Sequence, residues 1–336
     1  ILKLHKIYII ISILKYISLV TLTLQNAVLG LSMRYARTRS GDMFLSSTAV
    51  VMAEFVKLAT CLVLVYVEEG SLRKFLHTLD ATIIKQPTDT LKVCVPSLVY
   101  IIQNNLLYVS ASHLDAATYQ VTYQLKILTT AFFAVLILRR SLRAIQWGAL
   151  LLLLAGVVLV QLAQSGPTSV PSGTEQNRLI GFSAALTACF LSGFAGIYFE
   201  KILKGSDISV WMRNVQLSLL SLPFGLFTCF LYDGKVIQNQ GFFFGYDWFV
   251  NYLVVLQAGG GLVVAMVVKH ADNILKGFAT SLAIVISCVA SIYLFSFHLT
   301  FQFSTGAALV ICSIFMYSHQ PRISGTPDSH SLINKV

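Results

Sequence analysis

The chain has 336 residues, of which 56% are hydrophobic and 11% are charged, whereas roughly a quarter of the residues in soluble domains are charged. This composition excludes an ordinary soluble domain and predicts a polytopic membrane protein with room for about ten spans of roughly 20 residues. The net charge of +10 does not indicate nucleic-acid binding, because the basic residues are spread through the predicted loops.

Ten apolar stretches follow one another along the chain, and each can form a transmembrane helix. They are 8–33, 44–67, 93–112, 116–138, 144–163, 179–200, 208–232, 246–268, 274–297 and 300–318. We therefore predict an all-α membrane protein with ten transmembrane helices. The first residue is Ile rather than Met, so we expect further residues to precede it.

A stretch rich in Ser, Gly and Pro, residues 164–178, lies at the middle of the chain with five predicted helices on either side. Its composition is typical of a flexible linker. An odd number of helices gives the two halves opposite orientations, as in inverted repeats. We predict a first five-helix repeat over 1–163, a lumenal linker over 164–178, a second five-helix repeat over 179–318 and a cytosolic tail over 319–336.

The loop charges predict the orientation in the membrane. Most loop Lys and Arg residues fall on the side that holds both termini, which the positive-inside rule makes the cytosolic side. The opposite side carries Arg34, Arg37, Arg39, Arg178 and Lys235. The Arg34–Arg39 cluster goes against the rule, and we interpret it either as functional or as a contact with helix ends.

Two lysines, Lys126 and Lys276, lie inside apolar segments 150 positions apart, in the fourth predicted helix of each half. Each follows a Leu, and each has a Thr four residues later on the same helical face, Thr130 and Thr280 respectively. A cation at bilayer depth is costly, so it persists where it faces a cavity or a partner. Two such positions half a chain apart suggest a duplicated transporter with a central anion site.

Polar side chains in two predicted helices complete the candidate substrate site. They are Tyr100, Gln103 and Asn104 in the third helix, and Tyr119 and Tyr123, which form a stripe with Lys126, in the fourth. Tyrosines and amides can stack on a flat base and hydrogen-bond to it, and lysine suits a phosphate. For the two amides, hydrogen bonds that merely hold helices together are the alternative.

Other polar residues have several interpretations. Glu54 and Lys57 are three residues apart in the second helix, and they form either a self-neutralising pair or part of a gate or pathway. Asn214 and Gln216 in the seventh helix are candidates for the cavity. His113 and His270 are candidates for carrying a proton if the protein is a proton-coupled carrier.

Motifs of common enzymes do not occur in the sequence: there is no His-Glu-x-x-His, no Gly-x-Ser-x-Gly and no Walker A loop. The six cysteines lie in apolar segments without metal-ligand spacing. We therefore expect a protein that is not an enzyme and that uses no cofactor and no metal.

Several stretches of the chain resemble nucleotide-sugar transporters of the Golgi and endoplasmic reticulum, within the drug/metabolite transporter superfamily. They are Ser46–Glu54, Gln103–Leu106, Asp115–Lys126, Ser192–Lys201, Trp211–Gln216 and Ala271–Thr280. These motifs are similar to those of the subfamily that carries CMP-sialic acid, UDP-galactose and UDP-N-acetylglucosamine. Within it, Gln257–Gly261 resembles the members that carry UDP-sugars rather than CMP-sialic acid. Ser40–Asp42 resembles the UDP-galactose branch, and Leu114–Thr118 also fits the UDP-N-acetylglucosamine branch.

The resemblance implies ten helices as inverted repeats, cytosolic termini, a Golgi membrane location and exchange of a cytosolic nucleotide sugar for a lumenal nucleoside monophosphate. It implies that Lys126 and Lys276 hold the phosphates and that Asn214 lies toward the sugar. Nucleotide contacts are implied for Tyr100, Gln103, Asn104 and Tyr119.

The leading hypothesis is an antiporter that imports UDP-galactose against UMP. Within the same family, UDP-N-acetylglucosamine or CMP-sialic acid is the alternative substrate. Outside it, the alternatives are a polytopic enzyme acting on a phosphorylated lipid and a scaffold that does not transport. Besides the UDP-sugar, UMP and the lipid bilayer, the partners we consider are a second copy of the chain and glycosyltransferases.

Overall fold

Helices form all of the regular structure in the part of the chain that is described. The computed structural model describes the backbone of residues 2–163, 177–204, 208–270 and 273–318. Within these ranges, side chains are described except those of residues 2–16, 18, 203–204, 264–270, 273–278 and 280. Most of the predicted linker and the whole predicted tail, residues 164–176 and 319–336, therefore lie outside the described residues.

Thirteen α-helices occur within the described ranges. They are α1 (Leu2–Thr38), α2 (Ser46–Glu69), α3 (Leu72–Leu79), α4 (Pro87–Lys92), α5 (Cys94–His113), α6 (Ala116–Thr122), α7 (Lys126–Leu138), α8 (Ala144–Ala163), α9 (Arg178–Lys204), α10 (Val210–Gln240), α11 (Trp248–His270), α12 (Asn273–Phe295) and α13 (Phe301–Ser318). Each predicted apolar stretch coincides with a long helix, except that 116–138 is divided into α6 and α7.

Seven helical segments of the described chain are long and apolar enough to cross a membrane. They are Ser46–Glu69, Pro87–His113, Ala116–Leu138, Ala144–Ala163, Arg178–Ile202, Val210–Gln240 and Phe301–Ser318. The all-helical prediction is confirmed in this form, and the segments fit a multi-pass membrane protein.

The sequence predicts a loop between α2 and α5, and this prediction is wrong. Residues 70–92, called the connector below, contain α3, a π-helical turn over Asp80–Ile84 and α4. The connector folds because apolar side chains recur along it at four-residue spacing and contact a cluster formed by α2 and α10. These side chains are Phe75, Leu79 and Ile83.

Long helices pack in a small set of pairs. The most extensive contacts join α8 with α13, α5 with α9, and α2 with α10. Next come α7 with α9, α1 with both α11 and α12, α5 with α10, and α2 with α11. All of these pairs join the first half of the chain to the second, so neither half is a separate body.

Two glycines set the close approach of α8 and α13. A Cβ atom on Gly156 would lie 2.7 Å from the Gly306 carbonyl oxygen, and a Cβ atom on Gly306 would lie 2.7 Å from the Gly156 carbonyl oxygen. Val310 and Val160, each four residues beyond a glycine, close the contact on either side. Such small-residue contacts let helix backbones touch in a membrane, where no hydrophobic driving force brings helices together.

The Arg34–Arg39 cluster contacts helix ends, as one of the two sequence interpretations proposed. Buried Arg34 donates to the carbonyl oxygens of Ala111 and Ser112, at 3.2 and 2.9 Å, in the last turn of α5. These carbonyls lack partners within their own helix, and a cation there is favourable.

Two more arginines extend this contact. Arg37 donates to the Ser112 hydroxyl at 2.8 Å and to the Phe44 carbonyl at 2.9 Å. Arg39 pairs with Asp247 in the connection between α10 and α11, at 2.5 Å. The Arg39 hydrogen bond lowers the pKa of the Asp247 carboxyl. The cluster thus joins the end of α1 to three neighbouring segments.

Candidate functional site

The site is built around a change of helix type in the fourth apolar segment. Between α6 and α7, residues Tyr123–Leu125 form a 3₁₀ turn, and Lys126 is the first residue of α7. The tighter turn changes the hydrogen-bonding pattern of the backbone. The Cys189 thiol of α9 donates to the Tyr123 carbonyl oxygen at 3.5 Å and so supplies a partner at this point.

Aromatic rings line the approach to Lys126. The rings of Tyr119 and Tyr123 are parallel within 4°, with centroids 6.0 Å apart. The Lys126 Nζ lies 4.4 Å from the centroid of the Tyr123 ring, within the range of a cation–π contact. Tyr119, Tyr123 and Lys126 therefore lie side by side, as their spacings of four and three residues predict, with the Lys126 ammonium at one end.

The amides of α5 face the same stripe. Gln103 is buried, and its Nε2 donates to the Tyr123 hydroxyl at 3.1 Å. The Gln103 Oε1 is also buried and has no hydrogen-bond partner among the described residues. A buried acceptor left in this state is costly unless a ligand or water serves it. Asn104 and Tyr100 are half-buried on the same helix.

A glycine of α9 allows this helix to lie against the Lys126 turn. A Cβ atom on Gly193 would lie 2.6 Å from the Thr129 Oγ1 and 2.8 Å from the Thr130 backbone nitrogen. The Thr129 hydroxyl itself donates to the Cys189 carbonyl at 2.6 Å. Thr130, a predicted site residue, is half-buried beside this contact.

Glu54 and Lys57 form the ion pair that their spacing predicts. The Lys57 Nζ lies 2.7 Å from the Glu54 Oε1, and both side chains are largely buried. The second carboxylate oxygen, Oε2, has no hydrogen-bond partner among the described residues. Tyr100 interacts electrostatically with Glu54, which connects the pair to the polar residues of α5.

The second half of the predicted site is defined only by its backbone. Lys276 is the fourth residue of α12, and Thr280 follows one turn later in the same helix. Their side chains, and that of His270 at the end of α11, lie outside the described residues.

Two residues near the start of α10 have different surroundings. The Asn214 Nδ2 donates to the Val210 carbonyl of its own helix at 2.9 Å. Gln216 does not face a central space, because its Nε2 donates to the Thr90 hydroxyl of the connector at 3.0 Å. Its Oε1 accepts from the fully buried Arg213 at 2.8 Å. Arg213 and Gln216 therefore fasten the connector to α10.

His113 is engaged at the end of α5. Its Nδ1 accepts a hydrogen bond from the Asn177 backbone N–H at 3.2 Å. This bond requires an unprotonated Nδ1.

Sequence reasoning misses two features of the site. The 3₁₀ turn over Tyr123–Leu125 contains neither Pro nor Gly, so the local sequence does not predict a change of helix type there. Cys189 gains its role only because α9 packs against that turn. The sequence gives one hint of this packing. Cys189 lies three residues before Ser192–Gly196, a stretch rich in small residues, which indicates that α9 approaches another helix closely.

Comparison with known proteins decides the family. Residues 11–318 match the family described as nucleotide-sugar transporter. The chain belongs to this family. Its members are transporters, so the match confirms the prediction that the protein is not an enzyme.

The relatives of this transporter are named for two substrates, UDP-galactose and UDP-N-acetylglucosamine. The UDP-galactose translocator of Mus musculus is 55% identical over 306 residues, which cover 91% of this chain and 78% of the relative. The UDP-N-acetylglucosamine transporter of Homo sapiens is 49% identical over 318 residues, which cover 94% of this chain and 98% of the relative. A UDP-galactose/UDP-N-acetylglucosamine transporter of Caenorhabditis elegans is 50% identical over 309 residues, covering 91% and 83%.

A solved crystal structure shares the fold. It superposes on this transporter with a TM-score of 0.57 and covers 92% of this chain and 96% of the other, at 13% sequence identity.

Proposed function

We propose that this transporter imports UDP-galactose into the Golgi lumen in exchange for UMP. Relatives named UDP-galactose translocators are 54–55% identical to it, and those named UDP-N-acetylglucosamine transporters are 49–50% identical. The observation that carries the chemistry is the Tyr119–Tyr123 stack ending at Lys126, with a buried Gln103 oxygen beside it.

Each part of this arrangement suits one part of the substrate. A flat uracil ring can stack on a tyrosine. The Gln103 Oε1 can accept from the uracil N3–H, and the half-buried Asn104 and Tyr100 offer further polar groups. Lys126 and Lys276 supply point charges for the phosphates. Thr130 and Thr280, one turn beyond each lysine, are assigned to hydrogen bonds with phosphate oxygens, and Asn214 is assigned to the sugar end.

The ion pair of Glu54 and Lys57 is assigned to the pathway. It is largely buried, and one carboxylate oxygen lacks a partner among the described residues. Ionisable groups in such a position mark substrate pathways more often than they stabilise the fold.

We infer that ten helices cross the membrane as two inverted five-helix repeats. In this arrangement α1, α2, α5, α6–α7 and α8 correspond in order to α9–α13. The helix pairs support this arrangement. If each helix is replaced by its counterpart in the other half, every major helix pair becomes another pair that is also in contact. The α5–α9 contact becomes α11–α1, α7–α9 becomes α12–α1, and α5–α10 becomes α11–α2. The pairs α2–α10 and α8–α13 map onto themselves, as does the Gly156–Gly306 contact.

This arrangement puts both termini in the cytosol and residues 164–178 in the lumen. Tags at each terminus should bind antibody after selective permeabilisation of the plasma membrane, whereas a tag at position 170 should remain protected until the Golgi membrane is opened. The opposite pattern would overturn the helix count.

Substrate choice is tested with purified transporter in liposomes that contain UMP. Uptake of labelled UDP-galactose, UDP-N-acetylglucosamine and CMP-sialic acid is compared at equal concentration. We expect UDP-galactose to be taken up fastest. The strongest competitor is UDP-N-acetylglucosamine, because the human relative named for it aligns over 98% of its own length. Faster uptake of that sugar, or of CMP-sialic acid, would contradict the proposal.

A further inference from the structure

Helix α3 of the connector has three different sides. One side contacts the protein through Phe75 and Leu79, which join the apolar cluster of α2 and α10. The next carries Leu72 and Leu76, which are 60% and 54% exposed. The third side carries basic residues. A helix that only covered the core would have no reason for large apolar side chains outside its packed face.

The exposed apolar surface continues beyond α3. Within the connector, Ile84 is 71% exposed and Leu91 is 67% exposed. On the adjoining end of α2, Val63 and Val67 are exposed as well. Because α2 is long and apolar enough to cross a membrane, its exposed side chains are expected to face lipid. The exposed apolar side chains of the connector continue this surface beyond the end of α2.

Basic side chains lie next to the exposed leucines. Arg73, Lys74 and His77 line a shallow cleft together with Glu69 and Thr78. The Glu69 carboxylate accepts a hydrogen bond from the Thr78 hydroxyl at 2.9 Å.

Other acidic groups of the connector are already paired. Asp80 pairs with Lys85 at 2.7 Å, and Asp89 pairs with Arg213 at 2.5 Å. Arg73 and Lys74 form no ion pair with any described residue, and Glu69 offsets only part of their charge, so the lining of the cleft is basic on balance.

We propose that the connector lies in the headgroup layer of the membrane and that its cleft binds the phosphate-bearing headgroup of an anionic phospholipid. Exposed leucines beside basic residues that outnumber the acidic ones are the pattern of a helix that lies in the interface. The leucines contact acyl chains, and Arg73 and Lys74 contact the headgroup. The topology proposed above puts this site on the cytosolic leaflet, where anionic lipids are concentrated. The binding itself does not depend on transport.

The test uses photo-crosslinking in reconstituted vesicles. Purified transporter is placed in phosphatidylcholine vesicles that contain a small fraction of phosphatidylserine with a diazirine in one acyl chain. A parallel sample contains phosphatidylcholine with the same chain. After illumination, labelled peptides are identified by mass spectrometry. We expect peptides covering 63–92 to be labelled more strongly by phosphatidylserine, by about 30-fold for two basic residues before salt screening.

Variants separate charge from structure. Arg73→Gln combined with Lys74→Gln should remove the preference for phosphatidylserine while leaving labelling by phosphatidylcholine intact. The matched control is Arg143→Gln combined with Lys201→Gln, which removes two exposed charges, one just before α8 and one in the last turn of α9, on the same predicted face. We expect this control to keep the preference at 63–92. Leu72→Ser combined with Leu76→Ser should reduce labelling by both lipids.

Several outcomes would overturn the proposal. Equal labelling by the two lipids in the wild type would show that the cleft does not recognise the headgroup. An unchanged preference in the Arg73/Lys74 variant would show that these two residues do not bind it. Displacement of phosphatidylserine by glycerophosphoserine at similar concentration would show a site for soluble phosphate esters instead. A transporter that fails to carry UDP-galactose but keeps the labelling pattern would refute the proposed function alone.

Discussion

The fourth apolar segment, 116–138, and helix α12 each carry a lysine near the beginning of an α-helix, but the two beginnings differ. Lys126 is the first residue of α7 and follows directly on a 3₁₀ turn in a continuous helical path. Lys276 is the fourth residue of α12, which runs from Asn273 to Phe295. The first turn of an α-helix carries partial positive charge at its backbone N–H groups.

The residues before each lysine differ as well. Tyr119 and Tyr123 precede Lys126 by seven and three positions, whereas Lys269 and Asn273 hold these positions before Lys276. The first half therefore combines an aromatic surface with a charge on one segment, and the second half offers charge at a helix start. We infer that phosphate binding is shared between the halves and that base recognition belongs mainly to the first.

Removing either lysine should have the largest effect. Charge-assisted hydrogen bonds are worth about 1.5–3 kcal/mol each, so we expect Lys126→Ala and Lys276→Ala each to lower UDP-galactose uptake by about 100-fold. Lys→Arg at either position should restore only part of it, because the guanidinium fork differs in shape from an ammonium. Uptake is measured in liposomes at matched protein amounts, with Lys235→Ala, an exposed lysine of α10, as the control.

Near wild-type uptake by either alanine variant would break the assignment. If only one lysine mattered, the phosphate would be held by one half, and the equivalence of the two segments would fail.

Changing Tyr123 should sharpen the difference between the halves. Stacking of a base on an aromatic ring is worth about 1–3 kcal/mol, so Tyr123→Ala should raise the KM for UDP-galactose by about ten-fold. Tyr123→Phe keeps the ring but loses the hydrogen bond from Gln103, and should raise the KM by only a few-fold. Asn273→Ala, the substitution at the matching position of α12, should change the KM less than Tyr123→Ala does. The reverse order would move base recognition to the second half.

Gly193→Ala should give a smaller effect that is specific to the fourth segment. The new methyl group would press on Thr129 and Thr130, and overpacking of this kind costs about 1–3 kcal/mol. We expect a lower melting temperature and reduced uptake, since the displaced turn carries Lys126. Gly259→Ala in α11 is the matched control, because its Cβ would meet open space. Equal melting temperatures for the two variants would contradict the close packing of α9 against α7.

The sequence predicts those parts of the molecule that depend on local patterns. A uniform apolar run predicts a helix over 144–163, and α8 has these bounds in the structure. The side-chain period of a helix brought Tyr119, Tyr123 and Lys126 into one stripe, and the three-residue spacing paired Glu54 with Lys57.

Features that depend on distant segments could not be predicted in this way. The 3₁₀ turn before Lys126 is accompanied by a thiol from α9, 66 residues further along the chain. The connector is helical because α2 and α10 present an apolar cluster to it, and Arg213 is buried because Asp89 reaches it from the connector.

Exchange of nucleotides tests the central proposal most directly. If the two lysines of the site must be neutralised on the return step, an empty carrier returns slowly, and UMP can neutralise them because it carries the same uracil and a phosphate. Liposomes preloaded with UMP should therefore take up UDP-galactose much faster than empty liposomes, CMP should stimulate less, and Lys126→Ala should abolish the stimulation. Uptake that is indifferent to internal UMP and driven by a pH gradient would contradict this account and favour a proton-coupled carrier.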